Sequence, residues 1–227
     1  MPVRSSAWCL LLAASLLPAA DLSAQVILAR YEFESGWGPT SSAAGIAAGE
    51  WTTTANRIDY LGGGGNPGGA AVARAWLGPR NDGKYFAFEI GNVSGDDFLL
   101  SELNFDLSNS PPGIGPQGWA LVSSEEAFAT DLASGSLGFA FAPWRTVTVP
   151  LSVTLEPGSS IEFRLIAWGA NSIPPQGGHL HVDNVVLTGV PEPSTCALLA
   201  LAAVWGLCRR RRAKRTRAVR RAVVPET

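Results

Sequence analysis

His179, His181 and Asp183 occupy alternate positions of one stretch, so on a β-strand all three side chains project from the same face. Imidazole and carboxylate so arranged can hold a transition metal. A full shell needs a third or fourth ligand from elsewhere, however, and the chain has only two histidines. The plainer reading is the polar end of a solvent-facing strand. No candidate nucleophile has a histidine at a recognisable motif spacing. The acids show no pairing that would set two carboxylates across a glycosidic bond. Asp96-Asp97 lacks the spaced acids of a calcium-binding loop and reads as a turn. These residues do not point to an enzyme.

The tryptophans admit a binding chemistry. Trp37, Trp51, Trp119 and Trp144 stand near loops or strand ends, where ligand contact is easiest. Exposed indoles there can stack on the faces of sugar rings. These four are the candidate contacts for an extracellular polysaccharide. Trp76 and Trp168 fall within strands and are expected in the core. Asn92-Val93-Ser94 fits a glycosylation sequon to which no role is assigned.

The elements that must position these residues repeat with period two. Val147, Val149, Leu151, Val153 and Leu155 alternate with polar residues and Pro150, as in a strand with one dry face. Pro150 predicts an edge or a bulge. Leu99, Leu103, Phe105 and Leu107 form a second such series; Ile27, Ala29, Tyr31 and Phe33 form a third. Further strands are predicted at Ala70 to Trp76, Tyr85 to Ile90, Gly118 to Ser123, Ile161 to Trp168 and Leu180 to Thr188. Between them lie glycine- and proline-rich turns such as Pro111-Pro112-Gly113. A single helical turn is allowed near Glu125 to Thr130. The fold class is all-β, an antiparallel β-sandwich, with a jelly roll as the specific expectation.

Two hydrophobic segments frame this domain. Residues 1–24 read as a signal peptide, with Arg4, an apolar run from Ala7 to Leu17, and Leu22-Ser23-Ala24 before the cleavage point. Ser194 to Cys208 is an uncharged Ala- and Leu-rich run, a helix of roughly 22 Å at about 1.5 Å per residue. That is short of the roughly 30 Å hydrocarbon core. Snorkelling of Arg209 and Arg210 can absorb the mismatch. Arg209, Arg210, Arg211 and Arg212 open a basic tail, residues 209–227, that acts as a stop-transfer block and stays in the cytoplasm.

Charge separates the same parts. Residues 25–189 carry seven basic and sixteen acidic side chains, a net −9, whereas residues 209–227 carry nine basic and one acidic, a net +8. An acidic exported domain excludes nucleic acid as a partner. Anionic lipid is the natural neighbour of the tail. Cys9, Cys196 and Cys208 all lie in the two hydrophobic segments, so residues 25–189 must be held together without disulfides.

Pro191-Glu192-Pro193, the apolar run from Ser194 to Cys208 and the arginines from Arg209 to Arg215 follow one another without a gap. The constellation resembles the PEP-CTERM sorting signal of Gram-negative bacteria. The tail continues beyond the usual few arginines to Thr227. The resemblance implies recognition by exosortase-type sorting machinery, a membrane transpeptidase that processes the chain near the motif. It also implies transient anchoring in the inner membrane, then an envelope or extracellular destination, often beside exopolysaccharide.

Tyr31 to Trp37 and His181 to Leu187 resemble the first and last strands of carbohydrate-binding jelly rolls. That resemblance implies a structural calcium joining the two strands, with Glu34 and Asp183 at the matching positions; oxygen ligands suit this hard cation. The expected organisation is signal peptide 1–24, sandwich 25–189, sorting motif 190–193, membrane helix 194–208 and cytoplasmic tail 209–227. The expected function is a non-enzymatic structural or adhesive protein of the envelope or matrix. The alternative is a lectin-like module for exopolysaccharide.

Overall fold

The computed structural model describes residues 25–58, 68–74, 76–110, 114–138, 144–170, 178–192 and 205. The chain divides into two units, Met1–Pro191 and Glu192–Thr227. The leader, all of the apolar run except Trp205, and the basic tail lie outside the described residues. Trp205 is helical and exposed. Among the described residues no helix is long and apolar enough to cross a membrane.

The described residues of the first unit form thirteen strands in two sheets. One sheet has the order β11 (Arg145–Leu155), β8 (Phe98–Ser110), β13 (His179–Pro191), β1 (Val26–Tyr31) and β2 (Ser41–Ser42). In this sheet β6 (Ala71–Arg74) also pairs with β13, and β5 (Asn56–Ile58) pairs with β6. The other sheet runs β10 (Ala133–Ser136), β9 (Gly118–Ser123), β12 (Ser160–Trp168), β7 (Tyr85–Asn92) and β3 (Ile46–Ala48), with β4 (Thr52–Thr53) also on β7. All of these ladders are antiparallel. A 3-10 turn, Ser124–Glu126, follows β9 where the sequence allows one.

The sheets face each other across one apolar core, which makes the unit a β-sandwich. Tyr31 of β1 meets Phe88 of β7 at 5.5 Å between ring centres, and Phe105 of β8 meets Trp119 of β9 at 5.8 Å. Trp51 stacks on Phe88 at 4.8 Å, and Phe86 receives both Trp37 and Trp76. Such pairs add about 0.5–1.5 kcal/mol each beyond the area they bury. With no cysteine in the sandwich, this aromatic packing takes the place of cross-links.

The alternating series hold, with corrections where a bulge intervenes. β11 lies at the sheet edge and its register shifts after Pro150, so the proline sits where a missing N–H costs least. In β1 the register shifts between Ile27 and Ala29. Leu28 thereby turns inward, fully buried, and Ile27 turns out at 43 % exposure. The short strands β2 to β5 and β10 carry no sequence pattern of their own. Asn92 is buried, and its side-chain amide donates to the carbonyls of Asp96 and Leu155 at 2.8 Å. It is a structural pin of the Asp96 turn rather than an exposed glycan acceptor.

Candidate functional site

β13 is a central strand, and what it carries dominates the candidate chemistry. Leu180 and Val182 point into the core, so His179, His181 and Asp183 share the outer face, as their spacing predicts. Asn184 then takes a left-handed conformation, φ 49°, which asparagine tolerates better than most residues. The register to β8 shifts there, and Val185 and Leu187 resume the inward direction.

At this bulge Asp183 stands directly opposite Asp106 of β8, and both are buried. Thr146 Oγ1 donates to Asp106 Oδ1 at 2.6 Å, and Asn184 Nδ2 donates to Asp106 Oδ2 at 2.9 Å. The Asn184 N–H donates to Asp183 Oδ1 at 2.7 Å. Beside them, Trp144 meets the His181 ring edge-on at 6.1 Å, and the His179 and His181 rings are 6.1 Å apart. Burial, and then the nearby Arg74 charge, hold the His179 imidazole below its ordinary pKa of 6.5.

The same bulge marks a change of neighbour. β1 pairs with β13 from Gly189 back to Val185, and β6 takes over from Val182 to Leu180. Glu34 lies on the chain leaving β1, and the Gly69 N–H donates to its Oε1 at 3.2 Å. A Cβ on Gly68 would come within 1.8 Å of that oxygen and displace the carboxylate, and its φ of 93° is one that favours glycine. Glu34 thus follows β1, while Asp183 lies in β13 where that strand changes neighbour. Among the described residues no three His, Cys, Asp or Glu side chains converge as a metal centre. Two carboxylates fall short of the six to eight oxygens of a calcium shell, so backbone carbonyls would have to supply the rest.

The tryptophans divide differently from expectation. Trp37, Trp51 and Trp119 are 4 %, 3 % and 7 % exposed and pack in the core. Proximity to turns did not leave them in solvent: Trp37 packs on Phe86, Trp51 on Phe88 and Trp119 on Phe105. Trp144 is half-buried. Trp76 is a core residue, its Nε1 donating to the Ala73 carbonyl at 2.9 Å. Trp168, by contrast, sits on the outer face of β12 with Glu162 and Arg164, and is half-buried.

That outer face collects planar groups. The Trp168 ring lies on Gly118, where a Cβ would come within 2.4 Å of its Cε2. The Arg80 guanidinium stands 5.6 Å from the Trp168 ring centre and is held by Asp82 and Asp131. The Arg164 guanidinium lies 3.6 Å from the Phe128 ring centre and 4.2 Å from that of Tyr85, with Glu162 as its ion-pair partner. The signal for Trp168 was its parity with Glu162 and Arg164. A polar pocket of about 280 Å³ beside the turn between β11 and β12 is lined by residues including Glu125, Thr154, Glu156 and Ser159. No histidine or aromatic side chain lines it.

The last strand ends in the sorting motif. β13 continues two residues beyond the expected domain end at Gly189: Val190 pairs with Leu99 and Pro191 with Phe98. Pro191 and Glu192 are exposed.

Residues 189–212 match the PEP-CTERM protein-sorting motif. The motif implies an exported protein, held transiently in the membrane and processed by exosortase. No curated protein matches the chain in sequence. Similar solved structures include the K3 cleaved adhesin domain of Lys-gingipain from Porphyromonas gingivalis, at 17 % identity and a TM-score of 0.46 over 71 % of this chain and 98 % of that one. Another is a CBM35 module in complex with a glucuronic acid-containing disaccharide, at 14 % identity and a TM-score of 0.40 over 73 % and 99 % of the two chains. A third is the CBM22 tandem domain of Paenibacillus barcinonensis Xyn10C, at 13 % identity and a TM-score of 0.45 over 72 % and 50 %.

Proposed function

We propose that this chain is a non-enzymatic envelope or matrix protein, exported by the leader at residues 1–24, sorted through its C-terminal motif, and acting as a structural or adhesive unit. The observation that carries this reading is the burial of Trp37, Trp51, Trp76 and Trp119 in one core. Side chains that a sugar-binding surface would use are committed to holding a disulfide-free sandwich together. Calcium bound by Glu34, Asp183 and backbone carbonyls would tie the β1 exit to β13 and add to that stability.

The test is a deletion strain of the native host, scored for cohesion of its extracellular matrix. Loss of cohesion, restored by the wild-type chain and equally by Trp168→Ala, supports a structural or adhesive role. Unchanged cohesion on deletion counts against it.

A second reading, a lectin-like module for neutral exopolysaccharide, draws on the planar groups around Trp168, Tyr85 and Arg164. Aromatic platforms of this kind stack on sugar faces. The net charge of −9 over residues 25–189 disfavours acidic chains. Under this reading Trp168→Ala folds normally but neither binds matrix polysaccharide nor restores cohesion. Trp144→Ala tests the one loop tryptophan that remains half-buried.

A further inference from the structure

The matched sorting motif begins inside the folded domain. Its first residues, Gly189, Val190 and Pro191, pair with Leu100, Leu99 and Phe98 of β8. Gly189 is also the partner of Val26 in β1, so it is flanked on both edges. It is packed as well: a Cβ there would come within 2.6 Å of Leu28 Cδ1 and 2.8 Å of the Leu99 carbonyl oxygen. Beyond Gly189, the described ladders give Val190 and Pro191 only β8 as a neighbour. The register to β8 also shifts between Thr188 and Gly189.

A processing enzyme that grips an extended peptide needs the backbone N–H and C=O groups of several successive residues. Here the residues just before Glu192 have spent part of that capacity on β8. Strand ends open at far lower free energy than whole domains. A two-residue end held on one edge is the cheapest segment to open; a glycine clamped on both edges and packed under Leu28 is not.

We propose that the sorting enzyme captures its substrate by peeling Val190 and Pro191 from Leu99 and Phe98, and that the peel stops at Gly189. The end of β13 is thus the N-terminal part of the recognition segment, and its pairing to β8 governs access. This rests on processing at the motif, not on the structural or adhesive reading of the sandwich.

The experiment uses the full chain expressed in an exosortase-bearing host, with precursor and mature forms followed by pulse-chase and mass. Three chains are compared with wild type. The first carries Leu99→Cys and Val190→Cys, a directly paired position that can be cross-linked in the oxidising periplasm. The second carries an eight-residue insertion after Pro191, Gly-Ser-Gly-Ser-Gly-Ser-Val-Pro, which leaves β13 paired and offers a second Val-Pro before Glu192. The third combines both changes.

The cross-linked chain is expected to mature at least about tenfold more slowly than wild type, and to recover on reduction. The combined chain is expected to mature normally while oxidised, because its grip no longer depends on the strand. Wild-type maturation of the oxidised pair would overturn the proposal. So would arrest of the combined chain, since the block would then be misfolding. Absence of processing in wild type would remove its premise and overturn it too, while leaving the reading of the sandwich untouched.

Discussion

Asp106 and Asp183 face each other across β8 and β13, at 6 % and 0 % exposure, on the outer side of a sheet whose other side is the core. Buried carboxylates persist only when their oxygens are satisfied. Asp106 receives Thr146 and Asn184, so it joins three strands at the point where β13 changes neighbour.

Replacing Asp106 by alanine leaves the Thr146 hydroxyl and the Asn184 amide without this acceptor. The expected cost is about 1–3 kcal/mol, read as a lower denaturation midpoint in urea. Thr146→Val should cost less on its own and add little in the double variant, since the two changes remove the same bond. Full additivity would count against the network.

If calcium binds at Glu34 and Asp183, a chelator lowers the melting temperature, and added calcium restores it. Glu34→Gln would flatten that response while leaving the apo melting temperature near that of wild type. A melting temperature indifferent to chelator removes calcium from the account.

Trp51→Ala and Phe88→Ala break the stacked pair at the centre of the core, at an expected cost of about 3–5 kcal/mol each. Trp168→Ala, on the outer face, should cost well under half of that. Gly118→Ala is expected to lift the Trp168 ring from its seat. Acrylamide quenching of the indole fluorescence would then rise; an unchanged quenching constant would show that the ring does not rest there.

His179 gives a pH dependence of definite sign. Its folded pKa lies below the ordinary 6.5 through burial and Arg74, so the unfolded chain binds the proton more tightly. The contribution is present above pH 6.5 and is lost as pH falls through the depressed folded value. His179→Gln should reduce the loss of stability on moving from pH 7 to pH 5. An identical slope in the variant would contradict the assignment.

For sorting, Glu192→Ala with Pro193→Ala alters the motif beyond the last paired residue and so leaves β13 intact. The expected result is a full-length, membrane-retained precursor. A mature chain of wild-type mass in the usual fraction would contradict processing at the motif.

Much of this could be read from residue patterns, and the failures arise where register or tertiary packing decides. The dry face of β11 follows from alternation, and its edge position from the missing N–H of Pro150. Ile27 and Leu28 exchange faces because β1 carries a bulge, and a single extra residue inverts every side chain beyond it. The shift at Asn184 does the same in β13. Loop proximity misplaced Trp37, Trp51 and Trp119, since exposure depends on which segments cross above a residue. Strand membership misplaced Trp168, since a strand has two faces and Glu162 and Arg164 already marked the wet one. The sorting signal needed no tertiary information, being written in one contiguous stretch; its entry into β13 did, because the partner Phe98 lies far away in the chain.

The attachment of the motif to β13 has a mechanical consequence. While the chain is held by its C-terminus, tension enters at residue 192, and tension along β13 loads its ladders to β8 and β1 in shear. Hydrogen bonds that lie across the pull share its load and must rupture together, whereas a strand peeled sideways gives way one rung at a time. Lengthwise force applied there would be borne by the most extensively paired strand among the described residues, and the two rungs at Val190 and Pro191 are those exposed to sideways peeling.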